Sequence, residues 1–338
     1  MRAVGYKLPG PVDHDGALID IELPKPTATG RDVLVQVKAV AVNPIDLLMR
    51  RDTKPGIEGV RVLGWDAAGI VQSVGPDVTL FVPGDEVAYA GSITRPGANQ
   101  EWHLIDERLV GRKPESFDWA EAAAMPLTGL TAWEMLFDRL DVRRPVAGAT
   151  PSLLIIGGAG GVGSMTIQLA RQLTDLVVIA TASRPETRAW VQELGAHHVI
   201  DHHRPMQPQL EALKISAPPF VFSTTNTSRH VQSIAELIAP QGRFGVIDSP
   251  ATLDVVPFKQ KSVSIHWELM YTRSLFHTLD MGEQGRIINR IANLADEQRI
   301  RTTLTERLSP INAQTLEQAH AQVASGKMRG KVAVEGWE

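Results

Sequence analysis

The run Leu153-Leu154-Ile155-Ile156-Gly157-Gly158-Ala159-Gly160-Gly161-Val162-Gly163 places Gly158, Gly160 and Gly163 at the spacing GxGxxG. An apolar, strand-like run leads into it and a helix-like run, SMTIQLARQL, leaves it, the context in which this spacing binds a dinucleotide. Each glycine has a physical task there. Gly158 permits a tight turn, Gly160 lets the backbone approach a pyrophosphate, and Gly163 lets the helix pack close to the strand. The backbone N–H groups of the loop, those of Gly161 and Val162 included, then face the anion, and the helix dipole favours its charge. A glycine-rich turn without a ligand is the competing reading.

The next strand selects the dinucleotide. Enzymes using NAD place Asp or Glu at its end, some ~20 residues after the loop, to bond the ribose 2′-hydroxyl. Here that strand ends Ala180-Thr181-Ala182-Ser183-Arg184, with no acid. The Ser183 hydroxyl and the Arg184 guanidinium suit a 2′-phosphate through charge-assisted hydrogen bonds, and Arg188 lies one turn further on. The pattern predicts NADPH; a solvated arginine before a helix is the alternative for Arg184.

These residues need a frame. The 338-residue chain has the length of two domains. In its first third Val33, Val35 and Val37 alternate with polar neighbours, the mark of a half-buried strand, and further short strands recur between turns such as Val82-Pro83-Gly84-Asp85. A barrel-like β domain is expected. WAEAAAMPLTGLTAWEMLF reads as helix interrupted at Pro126, and RRPVAGATPS as a linker. Strands and helices then alternate through LLIIGG, LVVIATAS, FVFST and RFGVID, which predicts an α/β domain with a parallel sheet covered on both faces. The tail from about Ser262 is placed back on the β domain.

Composition bounds the function. Hydrophobic residues make up 43% and charged residues 21%, and the formal net charge is −4, so neither nucleic acid nor an anionic membrane is expected as partner. With no cysteine, disulfides, thiolate metal sites and a cysteine nucleophile are excluded. No apolar run reaches the ~18 residues of a membrane span, and Met1–Gly10 lacks signal-peptide character, so a soluble, cytoplasmic protein is expected. His197, His198, His202 and His203 cluster in sequence. In an extended strand His198 and His202 would lie more than about 10 Å apart, and no metal site is expected from them.

Beyond the glycine loop, the chain carries Asn43-Pro44-Ile45-Asp46, Gly64-Trp65-Asp66, Val74-Gly75, Phe81 to Val87, Pro126 to Ala132, and Gly326-Lys327 through Gly330-Lys331. With these marks, spread over essentially its whole length, it resembles the medium-chain dehydrogenase/reductases, in the branch of zinc-free quinone oxidoreductases and most closely the zinc-type alcohol dehydrogenase-like subgroup. The resemblance implies a GroES-like β-barrel catalytic domain (1–125 and 263–338) around a doubly wound Rossmann domain (126–262), with the active site in the cleft and a homodimer as the common assembly. Where zinc-dependent relatives carry their ligands, this chain has Asn43, Trp65 and, approximately, Thr128, which is no competent zinc set. The expectation is NADPH and no zinc.

The same resemblance assigns roles. Without a metal, hydrogen-bond donors must stabilise the charge that grows on a substrate oxygen. The family places Asn43 and Thr128 beside the nicotinamide, as donors and cofactor contacts; a turn residue before Pro44 and a helix-start hydroxyl are their plain alternatives. Asp46 is a general-acid candidate only if its pKa is raised, and structural hydrogen bonding is the stronger reading for Asp46 and Asp66. Trp65 shapes the substrate pocket or packs the core. Trp267, with Phe276, walls the pocket or an interface. His202 falls near the adenosine phosphate, while Thr225, Asn226, Val246 and Ile247 fall near the nicotinamide and its ribose. Lys331 reaches the cofactor from the last strand or lies on the surface. The expected reaction is hydride transfer to a quinone or an α,β-unsaturated carbonyl. Reduction of simple aldehydes, and a catalytically silent NADPH-binding sensor, remain open.

Overall fold

The strand Ser152–Ile156 is buried along its whole length, as an unbroken apolar run must be when both faces of its sheet are covered. It is the centre of a six-stranded sheet in the computed structural model, which describes residues 1–12, 18–55 and 59–337. These divide into two units, Met1–Leu130 with Tyr271–Glu338, and Thr131–Met270.

In the second unit the sheet runs His198–Ile200, Val177–Thr181, Ser152–Ile156, Phe220–Ser223, Arg243–Val246, Ser264–Trp267, every neighbouring pair parallel. This is the strand order 3-2-1-4-5-6 of the dinucleotide-binding fold. Helix Gly161–Leu173 packs on Ser152–Ile156 and Val177–Thr181, and helix Pro185–Glu193 on His198–Ile200. On helix Thr227–Leu237 and just beyond it, Ile234 and Ile238, one turn apart, join Leu154, Val221, Phe244 and Phe258 in a closed apolar cluster. Burying each such side chain is worth about 1.5–3 kcal/mol.

One sequence expectation fails here. The run SVSIHW is not part of the β domain: Ser264–Trp267 pairs with Arg243–Val246 and forms the sixth strand of the parallel sheet. The chain leaves this unit after Met270, and the other unit boundary falls inside helix Pro126–Trp133. A four-residue strand has too little texture to reveal which sheet it joins, since pairing decides that.

The first unit is built on the long strand Asp32–Ala41. It pairs antiparallel with Ala67–Val74, Trp102–Asp106 and Lys331–Glu335. Glu86–Tyr89, Val110–Arg112 and Leu304–Leu308 extend this seven-stranded sheet, and Arg2–Tyr6 centres a three-stranded one. Asp32–Ala41 is not half-buried, as its alternation suggests. Val33, Leu34 and Val35 are all buried, because both its edges are paired and both its faces covered. The last strand returns with Ala333 opposite Ala41, so the C-terminal tail does rejoin the β-rich unit. Among the described residues no helix is long and apolar enough to cross a membrane.

Candidate active site

Asn43 stands where the strand Asp32–Ala41 gives way to helix Pro44–Asp52. The sequence Asn-Pro-Ile-Asp makes this start: Pro44 has its fixed φ at the first helical position, and Asp46 reaches back. Asp46 Oδ2 accepts the Asn43 N–H at 2.8 Å, and its Oδ1 accepts the Gly64 N–H at 3.0 Å. Gly64 can offer that N–H because its φ is +97° and a Cβ there would lie 2.2 Å from the Asn99 side chain.

The Asn43 side chain faces a second carboxylate. Its Nδ2 donates to Asp66 Oδ2 at 3.0 Å, and Leu127 N–H donates to Asp66 Oδ1 at 2.9 Å. Register explains the third member. Ala333 pairs with Ala41, and two residues further along each strand bring Lys331 opposite Asn43. The Lys331 ammonium donates to Val42 O and Asp66 Oδ2, each at 3.0 Å, and to Asn43 Oδ1. Asn43, Asp46, Asp66 and Lys331 are exposed by 2, 1, 0 and 4%. Burial pushes the Asp46 carboxyl up to about 7, against the pull of the Asn43 and Gly64 N–H groups and Lys331. Burial also raises Asp66, opposed chiefly by Lys331 and Asn43.

The expected roles shift accordingly. The Asn43 amide, sought as a donor to substrate, is committed to Asp66 and Lys331. Lys331 spends its three donors inside this cluster rather than lying on the surface. Asp46 has the raised pKa that a general acid needs, but both its oxygens are held by backbone N–H groups. Thr128 is 2% exposed, its hydroxyl at 3.3–3.4 Å from the carbonyls of Met125 and Ala124, a loose backbone contact within the helix. Trp65 is 1% exposed and donates its indole N–H to Ser92 O at 3.0 Å, so it packs the core. Trp267 is 53% exposed on the edge strand of the parallel sheet. Sequence reading missed Tyr271, whose buried hydroxyl lies within electrostatic reach of Asp46 and Asp66; inside the apolar run HWELMYTRSLF nothing local singles it out.

A catalytic zinc would find a poor donor set here. Asn43 and Trp65 have their polar groups engaged, and a dication here would meet the Lys331 ammonium. The residues do not fit a catalytic zinc. Among the described residues no three His, Cys, Asp or Glu side chains are grouped to hold a metal.

In the second unit, the parallel register gathers the other candidates along the carboxyl edge of one sheet. Gly158–Gly163 follow Ile156, Ser183 and Arg184 follow Thr181, and His202 follows Ile200. Thr225 and Asn226 follow Ser223, and Ile247 follows Val246. Such an edge is where open α/β sheets bind ligands. A Cβ on Gly158 would lie 2.8 Å from Ala180 Cβ, and one on Gly163 2.3 Å from Gly157 O, so protein packing alone demands both glycines. Gly160 differs. Its φ of −71° suits any residue, and a Cβ there would meet only Gly157 O at 3.7 Å. The space above Gly160 is open, which fits a dinucleotide pyrophosphate at the start of helix Gly161–Leu173.

Arg184 caps the start of helix Pro185–Glu193, with its Nε 3.2 Å from Glu186 Oε1. Arg188 donates to Ala182 O and Val199 O, each at 3.1 Å, so its charge is spent on strand ends. Thr181 Oγ1 accepts the Gly157 N–H at 3.0 Å and lies 3.2 Å from His202 Nδ1. Burial, with His203 and His230 close by, lowers the His202 pKa. Asn226 adopts the left-handed conformation at φ +51°, and its Nδ2 donates to Thr225 Oγ1 at 3.1 Å.

Comparison with known proteins agrees with this picture. Residues 29–124 match the alcohol dehydrogenase GroES-like domain and residues 161–283 the zinc-binding dehydrogenase family. A Rhizobium etli protein of known structure, named as a candidate zinc-dependent alcohol dehydrogenase, is 63% identical with a TM-score of 0.98, covering 100% of this chain and 98% of that one. Escherichia coli quinone oxidoreductase, solved with NADPH, shares the fold at 20% identity and a TM-score of 0.80, over 99% of this chain and 100% of that one. A zinc-type alcohol dehydrogenase-like protein of Staphylococcus aureus is 35% identical over 99% of both chains. The chain is thus an oxidoreductase of the medium-chain dehydrogenase/reductase superfamily, belonging with its zinc-type alcohol dehydrogenase-like members.

Proposed function

We propose that this protein is a zinc-independent, NADPH-dependent reductase that delivers hydride to a quinone or an α,β-unsaturated carbonyl. The observation that carries the reading is the carboxyl edge of the parallel sheet. A glycine loop kept open at Gly160 stands beside the strand Val177–Thr181, which is followed by Ser183 and Arg184 instead of an acid. The bound nicotinamide would supply the hydride. The amides of Gly158–Gly163 would hold the pyrophosphate, Ser183 and Arg184 the 2′-phosphate, with His202 beside the adenosine. Thr225, Asn226, Val246 and Ile247 would contact the nicotinamide ribose and ring. A quinone oxidoreductase with the same fold was solved with NADPH, which supports a nicotinamide cofactor for this chain. On the substrate side, the donor set that does not fit zinc argues against Lewis-acid alcohol oxidation and favours conjugated acceptors, whose negative charge delocalises.

A silent NADPH-binding protein is the second reading, favoured by the internal commitment of Asn43 and Lys331. Fluorescence titration with NADPH and NADH, followed by turnover on quinones, enals and simple aldehydes, separates the two. NADPH binding tighter than NADH by tenfold or more, with reduction of quinones or enones, is the expected result. Binding without turnover on any acceptor selects the silent protein. Elemental analysis of active protein checks the metal, and stoichiometric zinc would overturn the proposal.

A further inference from the structure

Three imidazoles gather at the carboxyl edge of the parallel sheet, all within the second unit. His202 and His203 follow strand His198–Ile200, and their ring centroids lie 4.4 Å apart. His230, in the first turn of helix Thr227–Leu237, meets the His202 ring edge-on at 6.0 Å. Thr181 Oγ1 accepts the Gly157 N–H, which leaves its hydroxyl hydrogen for His202 Nδ1 at 3.2 Å. In the neutral ring Nε2 then carries the hydrogen. The other ring nitrogens of the three histidines hydrogen-bond no described residue, and none of the three side chains is closed to solvent. The carboxylates around them are engaged. Asp201 Oδ1 accepts the His203 N–H at 2.9 Å and its Oδ2 lies 3.7 Å from Arg204 Nε, while Asp248 accepts from the N–H and hydroxyl of Thr227. Arg229 stands beside His230, and Arg188 is spent on Ala182 O and Val199 O. Among the described residues no such group is arranged to hold a metal ion. The ligand that suits unspent ring N–H donors in this setting is an anion.

We propose that His202, His203 and His230 form a proton-linked subsite for the 2′-phosphate of NADPH, beside Ser183 and Arg184. This rests on the NADPH reading and adds to it a coupling between cofactor binding and pH. Placement carries it. His202 is anchored to Thr181, two residues before Ser183, and in this strand order the adenosine ribose lies at the end of the second strand. Burial, then repulsion from His203 and His230, holds His202 below the ordinary histidine range against the pull of Asp201. Burial, His203 and Arg229 do the same to His230 against the pull of Asp248. Both rings are therefore mostly neutral at pH 7.5 in the free protein. A phosphate dianion among them reverses the balance, because it favours the charged ring, and a proton is taken up as the phosphate binds. By linkage, the affinity for NADPH rises as pH falls through the interval between the free and bound pKa values. NADH, with a 2′-hydroxyl in place of the phosphate, draws no such proton.

The test follows proton uptake by calorimetry at pH 7.5 in buffers of different ionisation enthalpy, with NADPH, NADH, 2′-AMP and 5′-AMP as titrants. Wild type should take up about half a proton or more with NADPH and with 2′-AMP, and none with NADH or 5′-AMP. Its Kd for NADPH should tighten about three- to tenfold between pH 8.5 and 6.5, while that for NADH changes less than about twofold. The double variant His202→Gln/His230→Gln should lose the proton uptake and the pH dependence, and bind NADPH about 5- to 10-fold more weakly at pH 6.5. Thermal melting checks that it folds; if it does not, the wild-type comparison of 2′-AMP with 5′-AMP decides alone. NADPH bound more tightly than NADH but without proton uptake overturns the histidine subsite and leaves the 2′-phosphate to Ser183 and Arg184. Uptake unchanged in the folded double variant overturns it as well. Equal affinity for NADPH and NADH overturns the NADPH reading instead, and 2′-AMP then decides the subsite by itself, since binding or failing to bind without proton uptake overturns it.

Discussion

Lys331 and Asp66, 265 residues apart in the chain, form a buried ion pair with Nζ 3.0 Å from Oδ2. The pair fastens the last strand to the turn beside Asn43, and Asn43 bridges the two with both ends of its amide. Inside a protein such a pair is held less by net Coulomb gain than by the cost of leaving either partner alone.

Lys331→Met should therefore destabilise the protein by about 3–5 kcal/mol, because it leaves the Asp66 carboxylate buried without its cation. Asp66→Asn should cost a similar amount. The double variant Lys331→Met/Asp66→Asn should lose markedly less than the sum, and urea denaturation of all four proteins reads that coupling. Additive losses would show that the two side chains act independently.

Gly160→Ala and Gly163→Ala should part ways, although the two glycines belong to one motif. A Cβ at position 163 would lie 2.3 Å from the backbone oxygen of Gly157, which has no room to yield, so that variant should lose stability or fail to fold. A Cβ at position 160 meets only an ordinary contact at 3.7 Å. That variant should melt like wild type and yet bind NADPH at least tenfold more weakly. Unchanged binding in a folded Gly160→Ala protein would remove the pyrophosphate from this loop.

Arg184 sets the cofactor preference in competition with its neighbour. Its Nε lies 3.2 Å from Glu186 Oε1, with the two side chains 40 and 52% exposed. A bound 2′-phosphate would have to share the guanidinium with this carboxylate. Arg184→Ala should lower the ratio of NADPH to NADH catalytic efficiency by about 10- to 100-fold, the scale of a lost charge-assisted hydrogen bond. Glu186→Gln should raise NADPH affinity by about two- to fivefold and leave NADH unchanged, since exposed ion pairs are weak. Parallel changes for both cofactors in either variant would place the 2′-phosphate elsewhere.

What could be read from sequence follows from distance along the chain. The glycine loop and the residues after each parallel strand are local signals, and the sheet order gathers them on one edge without further information. The start of helix Pro44–Asp52 was also written locally, as Asn, Pro and Asp at the capping positions, but Asn-Pro reads equally well as a turn. The Lys331–Asp66 pair was not legible, because it exists only after Lys331–Glu335 pairs with Asp32–Ala41. Tyr271 was hidden for a related reason. Its hydroxyl is buried without a hydrogen-bond partner, and a missing partner leaves no mark in sequence.

Two buried histidines should make the first unit acid-sensitive. His103 has Nε2 3.0 Å from Pro96 O, which can only accept, so Nε2 carries the proton and Nδ1 accepts from the Tyr89 hydroxyl at 3.0 Å. His320 has no partner on either ring nitrogen. Burial lowers His103 to about 4 and His320 to about 3. Both folded pKa values lie below the unfolded value of about 6.5. Their stabilising contribution is therefore whole above pH 6.5 and drains away as pH falls toward 4, where only the unfolded chain takes up the protons. Asp46 works the other way, since its folded pKa of about 7 lets the folded chain bind a proton that the unfolded one does not until near pH 4. Comparing His320→Leu with wild type cancels His103 and Asp46 and leaves His320 alone. The difference in unfolding free energy should grow in favour of the leucine variant by roughly 1.4 kcal/mol per pH unit between pH 6 and 4. Leucine also removes an unpaired buried N–H, so the variant should be no less stable than wild type at pH 7.5. Urea melts at half-unit intervals of pH measure the slope, and parallel curves for the two proteins would mean that His320 is protonated in the native state.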